Sequence, residues 1–171
     1  MIPPRIRCLV LACGNTLRGD DGAGPWLAHW AEQRFPAEPA LCIVSRHQWT
    51  PDLAQDIARA QSVLFVDSSV AAPPGSTQLV PVAPAAGQTA LATHHLGAPE
   101  LLALANELYG SQPRAAFLLT VGAATTALGE EFSQPVKSAL PTACALLEAT
   151  VRDLLAGRVP RPSISGRSEP A

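Results

Sequence analysis

The stretch Leu9-Val10-Leu11-Ala12-Cys13-Gly14-Asn15-Thr16-Leu17-Arg18-Gly19-Asp20-Asp21-Gly22-Ala23-Gly24 decides the reading of this chain. An apolar run stops at a glycine-bearing turn, and two adjacent carboxylates then open a helical pattern. Residues 5–12 read as a strand, continuously apolar from Cys8 to Ala12, as expected of one buried on both faces. From Asp21 to residue 35, Trp26, Leu27, Trp30 and Ala31 recur at helical spacing, with Pro25 in the first turn where a missing N–H costs nothing. Strand, turn, helix is the opening of an α/β unit. A structural turn needs the glycines but not both carboxylates. One Asp suffices as a helix cap at the positive end of the dipole. The second is free to face a crevice. Taken alone, the pair suits capping and chemistry equally.

The pattern continues outward from there. Residues 40–45 read as a second strand. Thr50-Pro51-Asp52 opens a helix to about residue 60, with Thr50 as N-cap and Pro51 at its first position. Residues 62–67, Ser-Val-Leu-Phe-Val-Asp, are the clearest strand. Residues 77–82 suit an edge strand, because prolines follow. A helix over 97–109, a strand over 115–121 and a long helix over 133–155, broken or kinked at Pro141, complete the body. Residues 157–171 are rich in Pro, Ser and Arg and are expected to be a disordered tail. The expectation is a single α/β domain over residues 1–156, layered around a mostly parallel sheet.

Bulk properties exclude several classes. The 171 residues suffice for one domain with a real core, and 47% of them are apolar. Net charge is −2 with no basic run, which argues against nucleic acid as a partner. The apolar stretches are strand-sized, so no membrane span is expected. Met1-Ile2-Pro3-Pro4-Arg5 lacks signal-peptide architecture. The cysteines Cys8, Cys13, Cys42 and Cys144 form no Cys-x-x-Cys pair, which points to a reducing cytoplasm. Three of them sit in apolar segments and read as buried core thiols, while Cys13 falls at the turn, which leaves it free to be exposed.

In open α/β sheets, chemistry gathers beyond the carboxyl ends of the strands. The polar residues there are Asn15, Asp20 and Asp21; Arg46, His47 and Gln48; Asp67, Ser68 and Ser69; and Thr93-His94-His95 before the later helix. Asp67 follows Leu64-Phe65-Val66 and must be hydrogen-bonded, paired or metal-bound. A local Asx turn with Ser68 or Ser69 is the ordinary alternative. Two Asp and one His suit a borderline divalent ion such as nickel, zinc or manganese, or, without a metal, acid/base work. A dinucleotide fingerprint is disfavoured: Ala12 stands at its first glycine, and Ser45-Arg46-His47 lacks the acid that would hold a ribose. No Gly-Lys-Ser/Thr, His-Glu-x-x-His or Gly-x-Ser-x-Gly occurs.

The block from Gly14 to Gly24 resembles the N-terminal signature of the hydrogenase maturation proteases. The resemblance continues at Thr50-Pro51-Asp52-Leu53, Phe65-Val66-Asp67, Thr93-His94-His95-Leu96-Gly97, Val121-Gly122 and Leu128-Gly129-Glu130-Glu131-Phe132-Ser133. It implies a three-layer α/β/α sandwich around a five-stranded, mostly parallel twisted sheet. It implies an endopeptidase that removes the C-terminal extension of a [NiFe] hydrogenase large-subunit precursor after nickel insertion. Its metal-contacting positions fall on Asp21, Asp67 and His94, with Asp21 or Asp67 as the catalytic carboxylate. It implies no permanent cofactor, only transient contact with the substrate's nickel. Two features depart from the family pattern: Ala12 precedes the turn, and Gln48-Trp49 replaces a glycine-rich or Gln/Leu loop. Trp49 reads as a core residue, or as a surface anchor for the partner. The competing readings are a non-catalytic nickel-checkpoint module for the same precursor, and a small-molecule hydrolase or cofactor-binding α/β domain.

Overall fold

The computed structural model describes residues 5–87 and 96–165. Among the described residues, six strands and four α-helices follow in the order β1 (Cys8–Cys13), α1 (Ala23–Arg34), β2 (Leu41–Arg46), α2 (Leu53–Arg59), β3 (Ser62–Ser69), β4 (Thr77–Pro81), α3 (Ala98–Tyr109), β5 (Ala115–Gly122), α4 (Gln134–Leu155) and β6 (Ser163–Ser165). The strand order is β2-β1-β3-β5-β4-β6. The first four of these run parallel, while β4 pairs antiparallel with both β5 and β6.

Every residue of β1 is buried, as a central strand with both faces covered requires. Alternate residues serve different cores. Val10 and Ala12, with Leu64 and Val66, pack under α1 and α4. Leu9 and Leu11, with Val63 and Phe65, pack under α2 and α3. This is the expected three-layer sandwich. Leu27 of α1 is fully buried in the first core, so truncating it to Ala would cost about 2–5 kcal/mol.

Four expectations need correction. The sheet has six strands, not five. The sixth comes from the segment expected to be a disordered tail: Ser163–Ser165 pairs with Thr77–Leu79, and the Ser165 and Thr77 hydroxyls hydrogen-bond to each other. Consequently β4 is interior, and the edges are β2 and β6. Finally, α4 runs unbroken through Pro141, so of the break or kink expected there the break is absent. That residue is exposed, so the carbonyl it leaves unbonded can meet water.

The first turn explains its glycines. Gly14 has φ 146°, and a Cβ there would lie 1.9 Å from the Asp21 carbonyl oxygen. A Cβ on Gly24 would lie 2.2 Å from the carbonyl oxygen of Cys13. Only hydrogen at these positions lets α1 start against the end of β1. Ala12 belongs to β1 and does not take a positive φ, so the turn tolerates it.

Candidate active site at the carboxyl ends of β1 and β3

The chain leaves β1 through α1 toward β2, then crosses through α2 to β3 on the other side of β1. The connections after β1 and β3 therefore diverge, which opens a crevice between their carboxyl ends. Ala12 is in register with Val66, so the next residues, Cys13 and Asp67, stand side by side on the α2/α3 face. Arg46 flanks Cys13, and Thr120 flanks Asp67.

Asp20 does not cap the helix that follows it, as one carboxylate of the pair was expected to. It lies within a 3-10 turn, Gly19–Gly22, that precedes α1, and among the described residues no side chain caps α1. Asp20 is completely buried. Its Oδ2 accepts hydrogen bonds from Ala124 N (2.8 Å), Thr125 N (3.1 Å) and Ser133 Oγ (2.7 Å), and its Oδ1 accepts one from Ser133 N (2.7 Å). Burial works to raise its pKa, but the bonds from Ser133, Ala124 and Thr125 outweigh it and hold the carboxyl below its ordinary value. Ser133 immediately precedes α4. Asp20 therefore ties the first turn to the entry of the last helix. Gly19 N to Gly129 O (2.7 Å) and Gly129 N to Leu17 O (2.9 Å) extend that tie.

Asp21 is half-buried. Its Oδ2 accepts from Asn15 N at 2.8 Å, and its Oδ1 accepts from Ser68 Oγ at 3.2 Å. Each oxygen keeps further lone-pair capacity. Asp67 accepts from Ser68 N at 2.8 Å, the local bond expected of a strand-end Asp. Burial pushes the Asp67 pKa up to about 6, against the lowering effect of the Cys13 thiol and the Ser68 N–H; the neighbouring charge of Asp21 adds to the rise. Such a carboxyl exchanges its proton near neutral pH, as acid/base chemistry on water requires.

Cys13, which its place at the turn left free to be exposed, is buried, with 8% of its surface accessible. Burial, and then the Asp67 carboxyl, drive its pKa far above the thiol range. It stays protonated and is no nucleophile. Its fate is set by strand register, which no local pattern reveals. Trp49 packs on the second core and meets Phe65 edge-on, with centroids 5.2 Å apart, as the core reading anticipated.

His94 lies outside the described residues, with Thr93 and His95. The helix after it, α3, covers the face that Asp67 occupies. Among the described residues, no group of three His, Cys, Asp or Glu side chains could hold a metal ion. Ser68 links the described carboxylates Asp21 and Asp67 by hydrogen-bonding to each, and it carried no signal in the sequence beyond its place next to Asp67.

No family model matches the chain, and no curated protein sequence matches it. Solved structures do. The hydrogenase maturating endopeptidase HybD from E. coli superposes with a TM-score of 0.71 at 21% identity, over 95% of this chain and 98% of that one. The [NiFe] hydrogenase maturation protease HycI from Thermococcus kodakarensis KOD1 gives 0.64 at 23% identity, over 88% and 93%. The hydrogenase 2 maturation peptidase from a Thaumarchaeota archaeon gives 0.61 at 22%, over 85% and 98%. This chain therefore has the α/β fold of the hydrogenase maturation endopeptidases, shared along nearly its whole length.

Proposed function

We propose that this protein is an endopeptidase that removes the C-terminal extension from a [NiFe] hydrogenase large-subunit precursor once nickel has been inserted. The observation that carries the reading is the placement of Asp21 and Asp67. Ser68 hydrogen-bonds to both near the ends of β1 and β3, in a fold shared with maturation peptidases, while the Asp20 carboxylate beside them is taken up by Ala124, Thr125 and Ser133.

Asp67 is the general base in this reading, because its pKa near 6 matches proton exchange at neutral pH. It takes a proton from water as the water oxygen bonds to the scissile carbonyl carbon. It returns that proton to the leaving amine as the C–N bond breaks. Asp21 and Asp67, with His94 as a third donor, make the transient contact with nickel. The metal is cargo of the substrate, and the protein holds no resident cofactor. Oxygen and imidazole donors suit a brief contact with a borderline ion. The reaction is assigned to the cytoplasm, in keeping with four free cysteines. Among the described residues no helix is long and apolar enough to cross a membrane.

The test is a substitution series on the nickel-loaded precursor. Asp21→Asn, Asp67→Asn and His94→Ala should each stay folded and block release of the C-terminal peptide. Normal cleavage by all three would refute the assignment. Tight precursor binding by the unaltered protein without any cut would indicate a checkpoint module instead.

A further inference from the structure

Asp21 and Asp67 reach the crevice from opposite sides of the sheet. Asp67 points to the α2/α3 face, beside Cys13. Asp21 sits in the turn that enters α1, on the other face. Ser68 follows Asp67 in β3, so its side chain points toward α1 by strand alternation. It touches both carboxylates: its N–H donates to Asp67 Oδ1 at 2.8 Å, and its hydroxyl donates to Asp21 Oδ1 at 3.2 Å. Among the described residues it is the one side chain hydrogen-bonded to Asp21, whose other bond comes from the backbone of Asn15.

We infer that Ser68 is a positioning residue: its hydroxyl fixes the Asp21 carboxylate relative to Asp67, each Asp21 oxygen taking one hydrogen bond and keeping its further lone-pair capacity for the reacting atoms. The inference rests on the peptidase reading of this site. A purely structural role is a poor explanation of the bond. Ser68 is half-buried at the crevice lip, so water can satisfy its hydroxyl when Asp21 does not. The fold gains little from the contact, whereas a carboxylate used in a reaction gains a fixed rotamer and a reduced set of orientations. Small misplacements of such groups reduce turnover steeply.

The experiment compares Ser68→Ala and Ser68→Thr with the unaltered protein on the nickel-loaded precursor, with thermal melts in parallel. Thr keeps the hydroxyl and suits a strand. Loss of one hydrogen bond to a charged group predicts that Ser68→Ala lowers kcat on the order of 10- to 100-fold. KM should stay nearly constant, the melting temperature should move by only a few degrees, and Ser68→Thr should restore most of the turnover. The Asp21 carboxyl carbon resonance should also shift in Ser68→Ala, a readout independent of cleavage. Unchanged kcat in Ser68→Ala overturns the assignment. So does a loss that tracks the melting temperature and is not restored by Thr. If the unaltered protein leaves the precursor whole, the peptidase reading falls as well, an outcome distinct from equal cleavage by all three proteins.

Discussion

Replacing Asp20 by Asn isolates the structural half of the Asp20–Asp21 pair. The carboxylate accepts four hydrogen bonds in a fully buried site. An amide cannot reproduce them. With its oxygen in the Oδ2 position, Asn keeps the Ala124 and Thr125 bonds but turns its NH2 toward Ser133 N, donor against donor. The reverse orientation loses Ala124 and Thr125 instead. The retained bonds also lose their charge, which accounts for roughly half their strength. An unsatisfied buried N–H adds about 1–3 kcal/mol. Together these predict a loss of about 3–5 kcal/mol, a large share of a domain's total stability. For a chain of this size that corresponds to a melting temperature lower by roughly 10 °C. The pH dependence has a definite sign. The folded pKa of Asp20 lies below the ordinary 3.8. Its contribution is therefore complete above about pH 4 and is lost as pH falls through the depressed folded value. The gap between the unaltered protein and Asp20→Asn should narrow in strong acid. Urea denaturation at neutral and acid pH measures both quantities. A loss under about 1 kcal/mol at neutral pH, or a gap that does not narrow in acid, would refute the structural role assigned to Asp20.

Asp67→Asn should behave in the opposite way. Because the folded pKa is raised to about 6, ionising Asp67 costs stability as pH rises from about 4 to 6. The Asn variant should gain on the unaltered protein across that window, by an amount on the order of 3 kcal/mol at most, while losing cleavage. A stability difference that is equal at pH 4 and pH 8 contradicts it. Gly24→Ala should destabilise by about 1–3 kcal/mol in a thermal melt, since its Cβ would press on the Cys13 carbonyl. A gain of about 1 kcal/mol, the usual result of Gly→Ala within a helix, would show that the close approach of α1 to β1 is not required. Deleting residues 163–171 should uncover the edge of β4 and lower the melting temperature by several degrees. An unchanged melt would show that β6 contributes nothing.

The interior strands were legible because burial on both faces leaves a run such as Leu9-Val10-Leu11-Ala12 without polar interruption. Ser163–Ser165 was not, because three residues paired to one neighbour leave no periodicity, and Pro, Ser and Arg surround them. The positions of Asp21 just beyond β1 and of Asp67 toward the end of β3 could be read from the strand ends. The division of labour between Asp20 and Asp21 could be anticipated, but not the partners of Asp20, which lie more than 100 residues away at Ala124, Thr125 and Ser133. Burial of Cys13 beside Asp67 follows from register between β1 and β3, a long-range property that residue spacing does not carry. Trp49 was legible as core because a large aromatic just before α2 has Phe65 to pack on.

The central claim is that this crevice cuts a nickel-loaded precursor and spares the nickel-free one. Intact-mass measurement after incubation with the two forms of the large-subunit precursor tests it most directly. The account predicts release of one C-terminal peptide from the loaded form and none from the other. Equal cleavage of both forms would contradict nickel gating, and no cleavage of either would contradict the assignment of the site.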